Sequence, residues 1–258
     1  MKDPISSWKP GDPVPQPTRS QERSISDLRK FGYTIIEEAL DADRLIAVRD
    51  RLVAQADAEV EAGIAFEDQG VDQDRTKQYD SLPEDTFTAA NGGVNQRVWM
   101  LVNKGRVFRD LVTHPFMIPL IEFLLGPHFL LSTLSANIAK PGGIEMGLHT
   151  DQWWMPRPMP RNEDHIAPGA VKRGEYYGTG DADPARSINP PCACNVMYCI
   201  TDFTPLKAGT RLVPKSHLTG LQPPPDVPHT LSSLGMEAKA GSAILFEGRT
   251  WHGTGANR

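Results

Sequence analysis

His149 and Asp151 stand two residues apart in Gly147-Leu-His-Thr-Asp-Gln152, and a second histidine, His252, follows in Thr250-Trp-His-Gly-Thr-Gly255. Along a β-strand the side chains alternate faces, so positions i and i+2 point the same way. His149 and Asp151 can therefore bind one metal ion from a single strand. His252 on a neighbouring strand would complete a set of two imidazoles and one carboxylate. That set occupies one face of an ion and leaves positions open, the pattern of non-haem Fe(II) oxygenases. A His-x-Asp pair alone is more often a solvated loop or a surface pair. Its setting here favours the metal. Residues 129–139 are β-prone and partly alternating, and Pro141-Gly-Gly143 then makes a turn. Gly241-Ser-Ala-Ile-Leu-Phe246, just before His252, reads as a short buried strand.

The elements that must carry these residues follow an order. Residues 1–22, with Pro4, Pro10, Pro13, Pro15 and Pro17, form an extended N-terminal arm. A short helix is expected over 24–31 and a strand over 33–36. Asp41 or Asp43 caps a longer helix whose apolar stripe is Leu45, Val48, Leu52, Ala56 and Val60, and Gly63 stops it. Residues 64–96 are polar and aperiodic and read as a long loop. Two helical segments, 107–112 and 117–125, are split by Pro115. From 128 onward the pattern is strands and turns, except for a proline-rich, charged insertion over 155–190. Because it follows the His-x-Asp segment, this insertion is expected near the site mouth, where loops set specificity. The fold class is therefore α+β, mainly β: a double-stranded β-helix (jelly roll, cupin-type) with N-terminal helices packed on one sheet. Residues 23–258 form that single domain.

The 258 residues are 39% hydrophobic and 23% charged, the composition of an ordinary globular protein. A net charge of −5 argues against nucleic-acid binding, which needs a basic surface. No apolar run is long enough for a membrane span, and no apolar signal core is present, so a cytoplasmic location is expected. Cys192, Cys194 and Cys199 are odd in number and clustered. They are neither a disulfide framework nor a paired zinc set, and are expected to be buried thiols on one strand. His217 is expected to bond a turn after Pro214, while His114, His128, His165 and His229 lack metal-like partners.

Four stretches resemble the phytanoyl-CoA dioxygenase family of Fe(II)- and 2-oxoglutarate-dependent oxygenases. They are Phe31-Gly-Tyr-Thr-Ile-Ile36, Leu148-His-Thr-Asp-Gln152, Ala208-Gly-Thr-Arg-Leu-Val-Pro-Lys-Ser-His217 and Trp251-His-Gly-Thr-Gly-Ala-Asn257. Lys215 stands where the family pattern has glycine. The resemblance implies that His149, Asp151 and His252 bind Fe(II). It also implies 2-oxoglutarate and O₂ as cosubstrates, with release of succinate and CO₂. Thr254, two residues past the distal histidine, matches a 2-oxoglutarate contact, and Tyr198, Arg97 and Asn137 match further cosubstrate positions. Related halogenases lack the carboxylate, so Asp151 favours oxygen chemistry. Trp153 and Trp154 are candidates for substrate contact or for core packing. The family also carries an arginine well past the distal histidine and a final strand. This sequence ends at Arg258, six positions past His252. A protein ending there is expected to bind 2-oxoglutarate poorly.

The expected partner is a small or medium organic substrate, with the chain acting as a monomer or homodimer. Two other functions stay open at this point. One is a different cupin-type metalloenzyme, although the His-x-His motif usual for those is missing. The other is a non-catalytic binding module on the same barrel, although all three triad residues are present.

Overall fold

Two side-chain oxygens start the N-terminal helices. Ser20 accepts the N–H of Arg23 and begins α1 (Gln21–Phe31), and Asp41 Oδ1 accepts the N–H of Arg44 at 2.8 Å and begins α2 (Ala42–Glu61). The Ser20 cap carries α1 one turn further upstream than the apolar pattern alone suggests. Gly32, at φ 85°, ends α1 in the left-handed conformation that glycine tolerates best. The chain then enters β1 (Tyr33–Ile36). The computed structural model describes residues 7–68, 95–142, 146–152, 191–207, 209–223 and 233–257.

Helix α2 buries Val48, Leu52 and Ala56 as expected, but its last inward residue is Glu59, and Val60 is exposed. The carboxylate of Glu59 is ion-paired to Lys104 and accepts an N–H from Gln55, so its burial is compensated. Residues 64–96, expected to be a loop, carry strands at both ends: β2 (Phe66–Asp68) and the start of β3 (Asn95–Val98). Their pairing partners are each other and β4 (Ala136–Ala139), so tertiary contacts rather than local alternation create them. Helices α3 (Arg106–Val112) and α4 (Met117–Leu125) flank Pro115. His114 fixes that junction: Nδ1 accepts the N–H of Phe116, and Nε2 lies 2.8 Å from the carbonyl of Ala39.

The remaining strands are β5 (Cys194–Tyr198), β6 (Thr210–Leu212), β7 (Leu234–Gly235), β8 (Ala243–Glu247) and β9 (His252–Thr254). They complete three antiparallel sheets in the orders β1-β8-β5, β2-β3-β4 and β7-β6-β9. The register of the first sheet puts Tyr33, Ile35, Ile244, Phe246 and Met197 on one face, packed against Leu212 of β6 and Met236 just after β7. The opposite face, with Ile36, Ala243, Leu245 and Val196, packs on Leu28 of α1 and on Met117 and Leu120 of α4. A central sheet thus has helices on one side and a second sheet on the other. The fold is mixed helix and strand, as expected, but not mainly β among the described residues. Helix α2 alone runs 20 residues, whereas no strand among the described residues exceeds five.

The proline-rich arm is docked where it is described. Trp8 is buried, and Thr18 pairs alongside Ile36, donating its N–H to the Ile35 carbonyl at 3.0 Å. The three cysteines are free: Cys194 lies on β5, with Cys192 and Cys199 just outside its ends. Among the described residues no helix is long and apolar enough to cross a membrane.

Candidate metal centre

The backbone brings the triad together before any ion does. His149 and His252 exchange both hydrogen bonds of an antiparallel bridge, N–H to O at 2.9 and 3.0 Å. Asp151 donates its N–H to the carbonyl of Gly248 at 2.9 Å, in the turn that follows β8. The His-x-Asp pair therefore lies on a bridge that runs into a turn, not on a full strand as expected, yet both side chains still reach one point. Two glycines permit this closeness. A Cβ on Gly253 would sit 2.8 Å from the Met146 carbonyl, and one on Gly248 would sit 2.9 Å from Ala193. Arg211 of β6, opposite Gly253, donates to the Met146 carbonyl at 2.8 Å and to Ser233. It pins the segment leading to His149 against β9.

Each imidazole is oriented by a carbonyl two residues upstream. Nδ1 of His149 lies 3.0 Å from the Gly147 oxygen, and Nδ1 of His252 lies 2.9 Å from the Thr250 oxygen. A carbonyl only accepts, so both Nδ1 atoms carry hydrogen and both Nε2 atoms turn to the common point. Nε2 of His149 is 3.6 Å from Asp151 Oδ1, and Nε2 of His252 is 3.2 Å from Asp151 Oδ2. One ligand atom from each of the three lies within 4.8 Å of the others, a spacing that can hold a metal ion. The donor set of two imidazoles and one carboxylate suits ferrous ion and leaves an octahedral ion half open.

Electrostatics favour the same state. Burial pushes His149 down from its ordinary pKa, and the neighbouring His252 and Arg97 push the same way, so the ring is neutral and ready to bind. Burial pushes the Asp151 carboxyl up. The hydrogen bond and charge of His252, the charge of His149 and the Asn195 amide outweigh it and hold the group at about 2. The Phe246 ring lies 4.6 Å from the His252 ring, tilted by 54°, and covers that side, while His149 and Asp151 remain about one-third exposed. The site opens on the His149–Asp151 side.

A match to the family described as phytanoyl-CoA dioxygenase (PhyH) covers residues 28–258. The chain belongs to the phytanoyl-CoA dioxygenase family. Curated relatives include Dioxygenase af480 of Aspergillus fumigatus, 30% identical over 165 residues that span 63% of this chain and 44% of that protein. Another is Dioxygenase trt7 of Aspergillus terreus, 27% identical over 94% of this chain and 70% of that protein. This chain thus spans less than half the length of the first of them. Among solved structures, the epimerase SnoN in complex with Fe³⁺, alpha ketoglutarate and nogalamycin RO aligns with TM-score 0.56 and 18% identity, covering 92% of this chain and 77% of that one. The carbocyclase SnoK aligns with TM-score 0.57 and 16% identity over 94% and 81%. At such identities these two structures establish a shared fold.

In this family member, the other predicted site residues divide clearly. Thr254 shares the His252 face of β9, directly opposite Thr210. Arg97 and Asn137 are cross-strand partners in β3 and β4. The Arg97 guanidinium lies 5.8 Å from the Trp99 ring centre, and its charge is felt at His149. Asn137 accepts from Asn95 at 3.2 Å. Tyr198 goes the other way, which corrects its expected cosubstrate role. Strand alternation turns it to the helical face, where its hydroxyl donates to the Leu111 carbonyl at 3.0 Å. Trp153, Trp154 and the 155–190 insertion lie outside the described residues. His217 is buried, with Nε2 3.3 Å from the Arg29 carbonyl at the end of α1, consistent with its expected structural place. The residue that sequence reasoning missed is Asn195, whose Nδ2 donates to Asp151 Oδ2 at 2.6 Å. Its signal was available: it is the one side chain with a hydrogen-bonding amide in the β5 run Cys-Asn-Val-Met-Tyr.

Proposed function

We propose that this chain is an Fe(II)- and 2-oxoglutarate-dependent dioxygenase that hydroxylates, or otherwise oxidises, a small or medium organic substrate. The observation that carries the reading is the convergence of two Nδ1-locked imidazoles and an ionised carboxylate on one point. His149, Asp151 and His252 would hold the iron. Thr254, on the His252 face, and Arg97, with Asn137 beside it, would meet 2-oxoglutarate, the cation supplying a partner for a carboxylate; their strand positions support this reading. When bound, iron and 2-oxoglutarate together supply the oxidising chemistry: one O₂ is consumed, 2-oxoglutarate leaves as succinate and CO₂, and the substrate gains one oxygen atom. The protein's own part is to turn both Nε2 atoms to one point, to keep Asp151 ionised and to line one side of the site with the Phe246 ring, limiting water.

The sheets β1-β8-β5 and β7-β6-β9 would then be the opposed halves of a double-stranded β-helix, with the triad between their ends. The epimerase and carbocyclase names of the structural neighbours support a scaffold that hosts several oxidative outcomes, so the class of reaction is better supported than its regiochemistry. Catalysis with only bound metal and no 2-oxoglutarate, or binding without turnover, would be the competing outcomes. The test is succinate release from 2-oxoglutarate over a panel of small organic compounds. It should require both Fe(II) and 2-oxoglutarate and should vanish in His149→Ala. Turnover that persists in that variant ends the proposal.

A further inference from the structure

Asp151 has two oxygens, and the fold holds one of them from the opposite sheet. Its backbone is fixed by the Gly248 carbonyl, and its Oδ2 receives the amide N–H of Asn195 at 2.6 Å. Asn195 is the cross-strand partner of Phe246, whose ring lies 4.6 Å from His252, so its side chain leaves β5 on the face that looks at the triad. A short amide-to-carboxylate bond of this kind is charge-assisted and directional. With backbone and Oδ2 both held, the carboxylate plane has little freedom to turn.

That restraint matters for how a metal is ligated. A carboxylate can bind through one oxygen or through both. Binding through both would take a further place on an octahedral ion and leave two where three are needed by the cosubstrates. We propose that Asn195 is a positioning residue: its amide holds Oδ2, which also lies 3.2 Å from Nε2 of His252, so that Asp151 binds the metal through one oxygen alone, which keeps three coordination positions open. The inference deepens the iron-site reading above and rests on it. Outer partners of metal ligands commonly act this way, tuning ligand orientation rather than touching the reacting atoms.

The experiment uses the full chain, anaerobically loaded with Fe(II) and 2-oxoglutarate, and nitric oxide as a gas probe read by electron paramagnetic resonance. The parent protein should give the high-spin iron–nitrosyl signal, and its failure to do so would sink the iron-site reading itself rather than the role of Asn195. At saturating iron, Asn195→Leu, which keeps the bulk and loses the donor, should bind nitric oxide at least about tenfold more weakly. Asn195→Gln, which keeps an amide, should recover most of that loss. Unfolding of the metal-free variants by heat separates this from damage to the fold, and Asn195→Ala replaces the leucine variant if that one does not fold. Nitric oxide affinity equal to the parent's in the donor-less variant, or an equal loss with leucine and with glutamine, overturns the proposal.

Discussion

His149 and His252 sit in unlike surroundings, and that difference sets how the site responds to pH. The side chain of His252 is 9% exposed and that of His149 37%. Burial and the adjacent His252 push His149 below the ordinary histidine pKa, so acid protonates it later than a free ring. Asp151, held at about 2, stays ionised through the whole physiological range. Loss of metal on acidification must therefore come from the imidazoles, because protons compete for the same Nε2 atoms. Metal affinity should be flat between about pH 8 and 7 and fall below about pH 6, with proton release on binding measurable by calorimetry in two buffers. A fall confined to the range below about pH 3 would assign the loss to the carboxylate and contradict this. The triad was legible in the sequence because its residue types and spacing are themselves the chemistry. Asn195 was passed over, and the face that Tyr198 occupies was not legible, because β5 has both faces covered. Its near-continuous apolar run then carries no alternation to say which face looks inward.

Among the elements, β9 and the segment before His149 show how local backbone choice positions the metal ligands. Gly253 faces the Met146 carbonyl closely enough that a Cβ would lie 2.8 Å away, with the Gly147 carbonyl at 3.1 Å. Gly253→Ala should therefore part the His149–His252 bridge by a few tenths of an ångström. It should cost about 1–3 kcal/mol of stability and, more tellingly, about 10-fold or more in metal affinity. Thermal unfolding and metal titration of the variant check the two parts, and unchanged metal affinity would show that the bridge does not set the ligand geometry. Gly32 supplies a contrast far from the ion: φ is 85°, and a Cβ would meet Nδ1 of His217 at 2.5 Å. Gly32→Ala should destabilise by about 1–3 kcal/mol while leaving metal affinity of the folded protein unchanged, which a titration below the unfolding range would verify. The helices were legible because caps and 3.6-residue periodicity are local: Asp41, the Val48–Leu52–Ala56 stripe and the Pro115 break all appear in the structure. The short strands β2, β6 and β7 were not, since two or three residues show no period and are strands only because a partner pairs with them, whereas β9 was expected only through the ligand role of His252.

At the scale of the whole molecule, the triad joins parts of the chain that are distant in sequence. His149 and Asp151 lie 252 − 149 = 103 and 252 − 151 = 101 residues before His252. The side chain of Asp151 is additionally bonded to β5 of the central sheet, while β9 belongs to the second sheet. Unfolding separates all of these, so the unfolded chain offers no assembled site. An ion that binds only the folded state must stabilise it by mass action, about 2.7 kcal/mol at one hundred times the dissociation constant. For a chain of this size, each kcal/mol raises the melting temperature by about 2–4 °C, so saturating metal should raise it by about 5–10 °C. The rise should be absent in His252→Ala, whose metal-free form should itself be less stable than the metal-free parent by about 1–3 kcal/mol, since the buried ring packed beside Phe246 and its contact with Asp151 are lost. Asp151 keeps its Asn195 bond in that variant, so the metal-free fold is weakened rather than lost. Equal metal-induced shifts in parent and variant would mean that the stabilising ion sits elsewhere. No shift in the parent would mean that the ion does not bind the folded chain in preference to the unfolded one, which would count against the site.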